Sequence, residues 1–452
     1  MLPAAFEPFV KEGPFCVLAR AALESLFARD RLDALFARTA QRQYTRELLF
    51  SQLVELMTAV VLRQQPSVRA AFLNGVGNVT VSDQAVYDKL ARIEPAVCAA
   101  LVRDSALRLT SVVAALRASH RSWVRGYRVR ILDGNALGAT DRRVAETRTS
   151  WDAPLPGRAL VVFDPRTELA TDVVLTPDAH EAERSLLADV LRLARRRDLW
   201  VADRNFCTAA FLGGLDGAGA AFAIRQHGSL RGHLSGRRRR VGRSETGVVY
   251  EQPLGVDVPG RVLAVRRLTV ELDAPTRDGD TAIHVLTNVP ASKADAVTLS
   301  EVYRKRWTIE GRFLEMSRTL DAEPRTLGYP SAALFAFGLG LVASNAVALL
   351  RAAVRATHGG DAADGLSSYA VALDMHQLHR GMMVALPAEV WAVFRDLTPK
   401  ELAAVLREVA RGIDLRRYRK TTRGPKKPPP KKKTYTNGGH VSTYRLLQHR
   451  KP

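Results

Sequence analysis

The chain has 452 residues, more than one ordinary domain holds, and its 46% hydrophobic and 25% charged residues are those of a folded globular protein. Against 46 Asp and Glu stand 67 Lys and Arg, a formal charge of +21, so polyanions are attracted whatever the fold and nucleic acid leads the partner classes, with a merely basic soluble protein as the alternative. Cys16, Cys98 and Cys207 lie too far apart for a disulfide framework or a cysteine zinc site, and Glu7, Lys11 and Glu12 break the apolar run that a signal peptide needs, so secretion is not expected and a cytoplasmic, reducing setting is.

Residues from about 13 to 120 read as helix. The run from Glu47 to Met57 places apolar residues three and four apart until Pro66 interrupts it. A short helix from Ser67, the Gly75 to Gly77 turn and a helix capped at Ser82 resemble a helix-turn-helix, a pattern that a packed bundle shares.

From Tyr127 the texture changes to short apolar runs of strand length: Tyr127 to Leu132, Ala159 to Phe163, Thr171 to Leu175 and Leu199 to Ala202. Leucines at helical spacing predict a helix over Glu181 to Arg197 between the last two, and three strands before any helix imply an antiparallel start to a mixed α/β sheet. Glycine turns, the basic run Arg237 to Arg240 and alternating segments such as Gly260 to Leu272 predict a β-rich insertion over 206–290. Ala282 to Asn288 reads as a strand, Lys293 to about Leu320 as one long amphipathic helix, and helix continues to about Ile413. Ala332 to Leu350 is uncharged and near the lower length limit for a membrane span, but its glycines, Ser344 and Asn345 suit a buried helix better, so no membrane is expected. The tail from Arg416 holds thirteen Lys or Arg and no acid, a composition that does not fold alone and reads as a disordered electrostatic arm or a solvated appendage.

These textures divide the chain into a helical DNA-binding region (1–122), a first core part (123–205), the β-rich insertion (206–290), a second core part with a long helix (291–355), a helical C-terminal region (356–414) and the basic tail (415–452). The fold class expected is α/β in the core and α+β overall.

Three acids stand out. Asp133 closes the run from Val129 to Leu132 and Asp203 closes Leu199 to Ala202; each fits a turn former, but strand ends are also where α/β sheets present functional side chains, and two acids there can share one hard cation. Tyr303, Arg306 and Glu310 fall at i, i+3 and i+7, one face of a helix. An arginine there can pair a phosphate bidentately while the carboxylate completes a metal site; an exposed Arg306–Glu310 pair is the plainer alternative.

The run Tyr303-x2-Arg306-x3-Glu310 resembles the Y-x2-R-x3-E signature of the insertion-sequence-four family of bacterial DDE transposases, and Leu132-Asp133-Gly134-Asn135 and Ala202-Asp203-Arg204-Asn205-Phe206 resemble its two aspartate motifs. The similarity covers roughly residues 45–350. It implies an RNase H-like core, catalytic Asp133, Asp203 and Glu310, phosphate contacts from Tyr303 and Arg306, and a nucleoid-associated enzyme acting as a homodimer on inverted-repeat ends and target DNA. The family lysine falls at Ser317, with Arg312 and Arg318 nearby. Cleaving a phosphodiester with carboxylates calls for two Mg2+ ions, or Mn2+, with Asp133 bridging them and Asp203 and Glu310 each holding one. A transposase-derived nuclease and a non-catalytic DNA-binding protein are the alternatives, favoured only by Ser317.

Overall fold

The computed structural model describes residues 2–421 except 44, 143–152 and 277. Most of the basic tail, from 422 on, therefore lies outside the described residues.

Seven helices come first: α1 Glu7–Glu12, α2 Pro14–Leu26, α3 Arg29–Thr39, α4 Phe50–Val61, α5 Val68–Leu73, α6 Asp83–Leu90 and α7 Pro95–Leu116. Their starts carry local signals. Ser67 and Ser82 accept from the backbone N–H of Ala70 and Ala85, and Pro14 and Pro95 occupy first-turn positions where a missing N–H costs nothing.

The strands are β1 Arg128–Ala136, β2 Arg158–Asp164, β3 Leu169–Thr176, β4 Asp198–Ala202, β5 Ala221–Arg225, β6 Gly232–Leu234, β7 Arg239–Ser244, β8 Gly247–Val258, β9 Arg261–Leu272 and β10 Ala282–Thr287. They form one mixed sheet in the order β3-β2-β1-β4-β5-β10-β9-β8-β6, with β7 also on β8. β1, β2 and β3 pair antiparallel, whereas β1, β4 and β5 run parallel. Between β3 and β4 lies α8 Leu187–Leu193, and between β4 and β5 lies α9 Ala209–Gly217.

Strand alternation makes this a layered core. Val129, Ile131, Leu199, Val201, Ala221 and Ala223 join one hydrophobic cluster with α7 and with α12 Pro330–His358. Leu132, Trp200, Ala202, Phe222 and Ile224 point the other way, onto Leu187 and Val190 of α8 and Phe211, Leu212 and Leu215 of α9. Buried on both faces, β4 is fully enclosed along its length.

After β10 come α10 Ala296–Arg304, a tight turn of 3-10 helix over Lys305–Trp307, α11 Thr308–Thr319 and α12. The single helix expected from Lys293 to Leu320 is thus two helices with a break at Arg306. α12 is long and apolar enough to cross a membrane, but it is mostly buried against α7, α16 Pro399–Arg411, α2 and α4, as a core helix is. Its Asn345 is almost wholly buried, and its amide both donates to and accepts from the backbone of Ala170, tying α12 to β3 where that strand's register slips. Between α12 and α16 lie α13 Gly360–Asp364, α14 Ser368–Ala385 and α15 Ala388–Trp391.

Candidate active site

The register between β1 and β4 positions the first two acids. Leu132 lies opposite Ala202 at the last paired position of these parallel strands, so the residues that follow, Asp133 and Asp203, stand side by side at their carboxyl ends. β1 does not stop at Asp133 as its sequence implies. It runs on to Ala136 because pairing with β2 continues from Asp133↔Val161 to Ala136↔Arg158 after pairing with β4 has ended.

Glu310 arrives from the other side of the chain, in the first turn of α11. One buried group joins it to Asp133, and a second, on the preceding helix, reaches Asp203. Arg306 donates from Nη1 to Asp133 Oδ2 and from Nη2 to Glu310 Oε1, each at 3.1 Å. Tyr303 donates from its hydroxyl to Asp203 Oδ1 at 3.3 Å. The structure therefore gathers all five residues, although Asp133 and Glu310 are far apart in sequence. Arg306 and Tyr303 are only 5% and 7% exposed, while Trp307 between Arg306 and Glu310 is 64% exposed and marks the solvent side. The Arg306–Glu310 pair therefore forms with its arginine buried and its glutamate 38% exposed, and the arginine is shared with Asp133.

The electrostatics follow from this crowding. Burial pushes the Asp133 carboxyl up to about 6, with Arg306 and the Gly134 N–H opposing and the Glu310 and Asp203 charges adding to the rise. Burial also raises Tyr303 above its ordinary range, and Asp203 reinforces this, so the phenol keeps its proton and serves as a donor.

A second ring of polar contacts holds the frame. Arg312 pairs with Glu168 at 2.7 Å and with Glu315 at 3.1 Å, Arg351 of α12 with Glu315 at 2.6 Å, and Arg355 with Glu168 at 3.0 Å. These bonds lock α11 against α12 and the β2–β3 turn. Arg312 is thereby committed to the interior and cannot stand in for a phosphate-binding lysine, and Ser317 bonds its own helix through the Leu314 carbonyl. The residues after the aspartates are held as well: Asn135, still in β1, donates to Glu323 Oε1 at 3.0 Å, and Asn205, in the loop after β4, to Glu183 Oε2 at 2.6 Å. Sequence reading missed both glutamates. The repeated Asp-x-Asn spacing at 133–135 and 203–205 was the available signal, but nothing local to Glu183 or Glu323 announces their partners.

The donors here are carboxylate oxygens, the chemistry a hard divalent cation prefers, and Asp133 and Glu310 already gather round one positive charge, the Arg306 guanidinium. The residue types fit such an ion. Among the described residues no three His, Cys, Asp or Glu side chains stand close enough to hold one, and Arg306 fills the space between Asp133 and Glu310.

No curated protein matches the chain. Among solved structures, a cryo-EM structure of a piggyBac transposase synaptic complex with hairpin DNA aligns with 88% of this chain and 85% of that chain at 9% identity and a TM-score of 0.38, a likeness too slight to carry an argument. The family comparison is more direct: residues 125–345, the stretch that contains Asp133, Asp203 and Glu310, match the transposase DDE domain.

Proposed function

We propose that the protein is a DNA transposase of the insertion-sequence-four type, which binds the inverted-repeat ends of its element, hydrolyses the phosphodiester at the boundary and transfers the freed 3′-hydroxyl into target DNA. The observation that carries this reading is the register Leu132↔Ala202, which sets Asp133 beside Asp203 within a stretch matching the transposase DDE domain. The order β3-β2-β1-β4-β5, antiparallel then parallel, supports an RNase H-like core.

Asp133, Asp203 and Glu310 would hold two Mg2+ or Mn2+ ions. Such a pair supplies an activated oxygen nucleophile and a neutralised leaving oxygen. Arg306 would release Glu310 and turn its fork to a phosphate oxygen; its buried Nε, which has no partner among the described residues, leaves capacity for that bond. Tyr303 would donate its proton-bearing hydroxyl to a neighbouring phosphate oxygen. Affinity for duplex would come from the excess of Lys and Arg over the whole chain. Two ends cut together call for a homodimeric synaptic complex, and the place of action would be the cytoplasm, on the nucleoid.

The test begins with a search of the flanking DNA for inverted repeats, followed by strand cleavage at those ends by purified protein with Mg2+ or Mn2+. Asp133→Asn, Asp203→Asn and Glu310→Gln should each reduce cleavage to background while duplex binding persists. Undiminished cleavage by Asp203→Asn would refute the assignment. Binding without cleavage by the unaltered protein would favour the non-catalytic alternative that Ser317 raises.

A further inference from the structure

The turn just ahead of α8 grips the loop after β4. Glu183 accepts from the Asn205 side-chain amide at 2.6 Å, and its neighbour Arg184 donates from Nε to the Asn205 carbonyl at 2.8 Å. Asn205 is therefore held by both side chain and backbone, two residues beyond Asp203.

The same Glu183 carboxylate lies against β1. A Cβ placed on Gly134 would stand 2.4 Å from Glu183 Oε1 and 2.8 Å from its Cδ, so the carboxylate lies close against β1 and would have to shift to admit a side chain there. Arg158 of β2 approaches Oε1 to 3.9 Å, and its own Nε is fixed on the Ala179 carbonyl at 2.6 Å. One carboxylate thus touches the end of β1, the loop after β4 and an arginine of β2.

Alternation decides what Glu183 does there. Leu132 packs toward α8 and α9, so Asp133 faces the opposite side, where Arg306 meets it, and Gly134 faces α8 again. Glu183 consequently braces the sheet from behind and touches none of the groups proposed to react.

We propose that Glu183 is a positioning residue that packs against Gly134 and holds Asn205, and so steadies Asp133 and Asp203 beyond the last register pair of their strands. The inference rests on the active-site reading above. Loss of the carboxylate leaves the Asn205 amide without its acceptor and Arg158 without its counter-charge, and loosens the loop after β4 relative to the end of β1, a placement on which the sharing of an ion by two carboxylates depends.

The experiment uses the full chain and Mn2+ as probe, with free Mn2+ followed by electron paramagnetic resonance and cleavage of an end duplex followed in parallel. Glu183→Ala should weaken Mn2+ binding about tenfold and lower kcat comparably, with KM for duplex and the melting temperature little changed. Glu183→Gln, which keeps an acceptor oxygen for Asn205, should recover most of the affinity. Asn205→Ala should match Glu183→Ala, and the double variant should be no worse than either, since the two act as one unit. Wild-type Mn2+ affinity in Glu183→Ala, or additive losses in the double variant, overturns the proposal. Should Glu183→Ala fail to fold, Asn205→Ala decides in the same way. Asp203→Asn separates this inference from the reading beneath it: if it keeps Mn2+ binding and cleavage, the active site itself is misassigned, whereas if it loses both while Glu183→Ala behaves as wild type, only the positioning role falls.

Discussion

The Arg306 guanidinium meets the Asp133 carboxylate at 3.1 Å across 173 positions of sequence, at a site where the arginine is 5% exposed. Its charge opposes the burial that raises Asp133. Arg306→Ala should therefore leave a protonated, poorly ligating Asp133 and remove a donor to the phosphate, slowing cleavage by about 100-fold or more. Duplex affinity should fall only about threefold, because many other basic residues are available to the DNA backbone. Arg306→Lys keeps the charge but not the planar fork and should fall between the two. Cleavage assays beside filter binding will separate these outcomes; equal losses in both would make Arg306 a general DNA anchor.

Asp133 also predicts a pH dependence of stability. Its folded value of about 6 lies above the ordinary aspartate value of 3.8, so between these two the native state holds a proton that the unfolded chain has released. Stability from this group is therefore present in full below pH 4, falls as pH rises through 6, and stays at its lowest above that. The shift corresponds to roughly 3 kcal/mol. Asp133→Asn should remove this dependence, so its stability advantage over wild type should grow from near zero at about pH 4 to a few kcal/mol at about pH 7 in urea denaturation. An advantage that does not change with pH would show that Asp133 is not held at a raised value.

Much of the candidate site was legible because its signals are local. Short, largely apolar strand runs, Val129 to Leu132 and Leu199 to Ala202, end beside Asp133 and Asp203, and the short spacing from Tyr303 to Glu310 survives the break between α10 and α11. What was not legible depends on distant partners. The leucines at 186, 187, 191 and 193 make the whole stretch from Glu181 look helical, but Glu181 and Glu183 spend their side chains on Thr176 and Asn205, and 183–186 is held as a turn until α8 starts at Leu187. Glycines at 213, 214 and 217 suggest a turn in what reads as a β-rich stretch, whereas burial of Phe211, Leu212 and Leu215 beneath the sheet makes 209–217 a helix. The break at Lys305–Trp307 contains neither Gly nor Pro; it coincides with burial of Arg306, a tertiary demand that periodicity does not reveal.

The packing of α12 on α7 offers an independent check on the core. A Cβ on Gly338 would stand 2.0 Å from Cys98 Sγ, and burial pushes the Cys98 thiol up to about 12. Gly338→Ala should cost about 1–3 kcal/mol through overpacking, and adding Cys98→Ala should recover part of that loss. Thermal melts of the two single variants and the double variant give the coupling directly. Additive losses would mean that the two helices do not meet at this point.

The last expectation concerns the basic tail and follows from charge alone. Residues 416–452 carry thirteen Lys or Arg and no acid, and every phosphate they neutralise should release condensed counterions. Truncation after Ile413 should weaken binding to all duplexes alike, and the slope of log affinity against log salt should become shallower by ~0.9 for each phosphate that the tail no longer neutralises. Cleavage at low salt should survive, since Asp133, Asp203 and Glu310 all lie outside the tail. The cut must be placed with care, because Tyr418 packs on Phe15 and donates to Asp374. A second truncation after Lys420 therefore removes most of the charge while leaving those two interactions in place, and it is the variant on which the salt slope should be read. An unchanged slope would make the tail a solvated appendage. Loss of discrimination between the element's own ends and random duplex would instead make it a reader of sequence, and the view of it as an electrostatic anchor would be wrong.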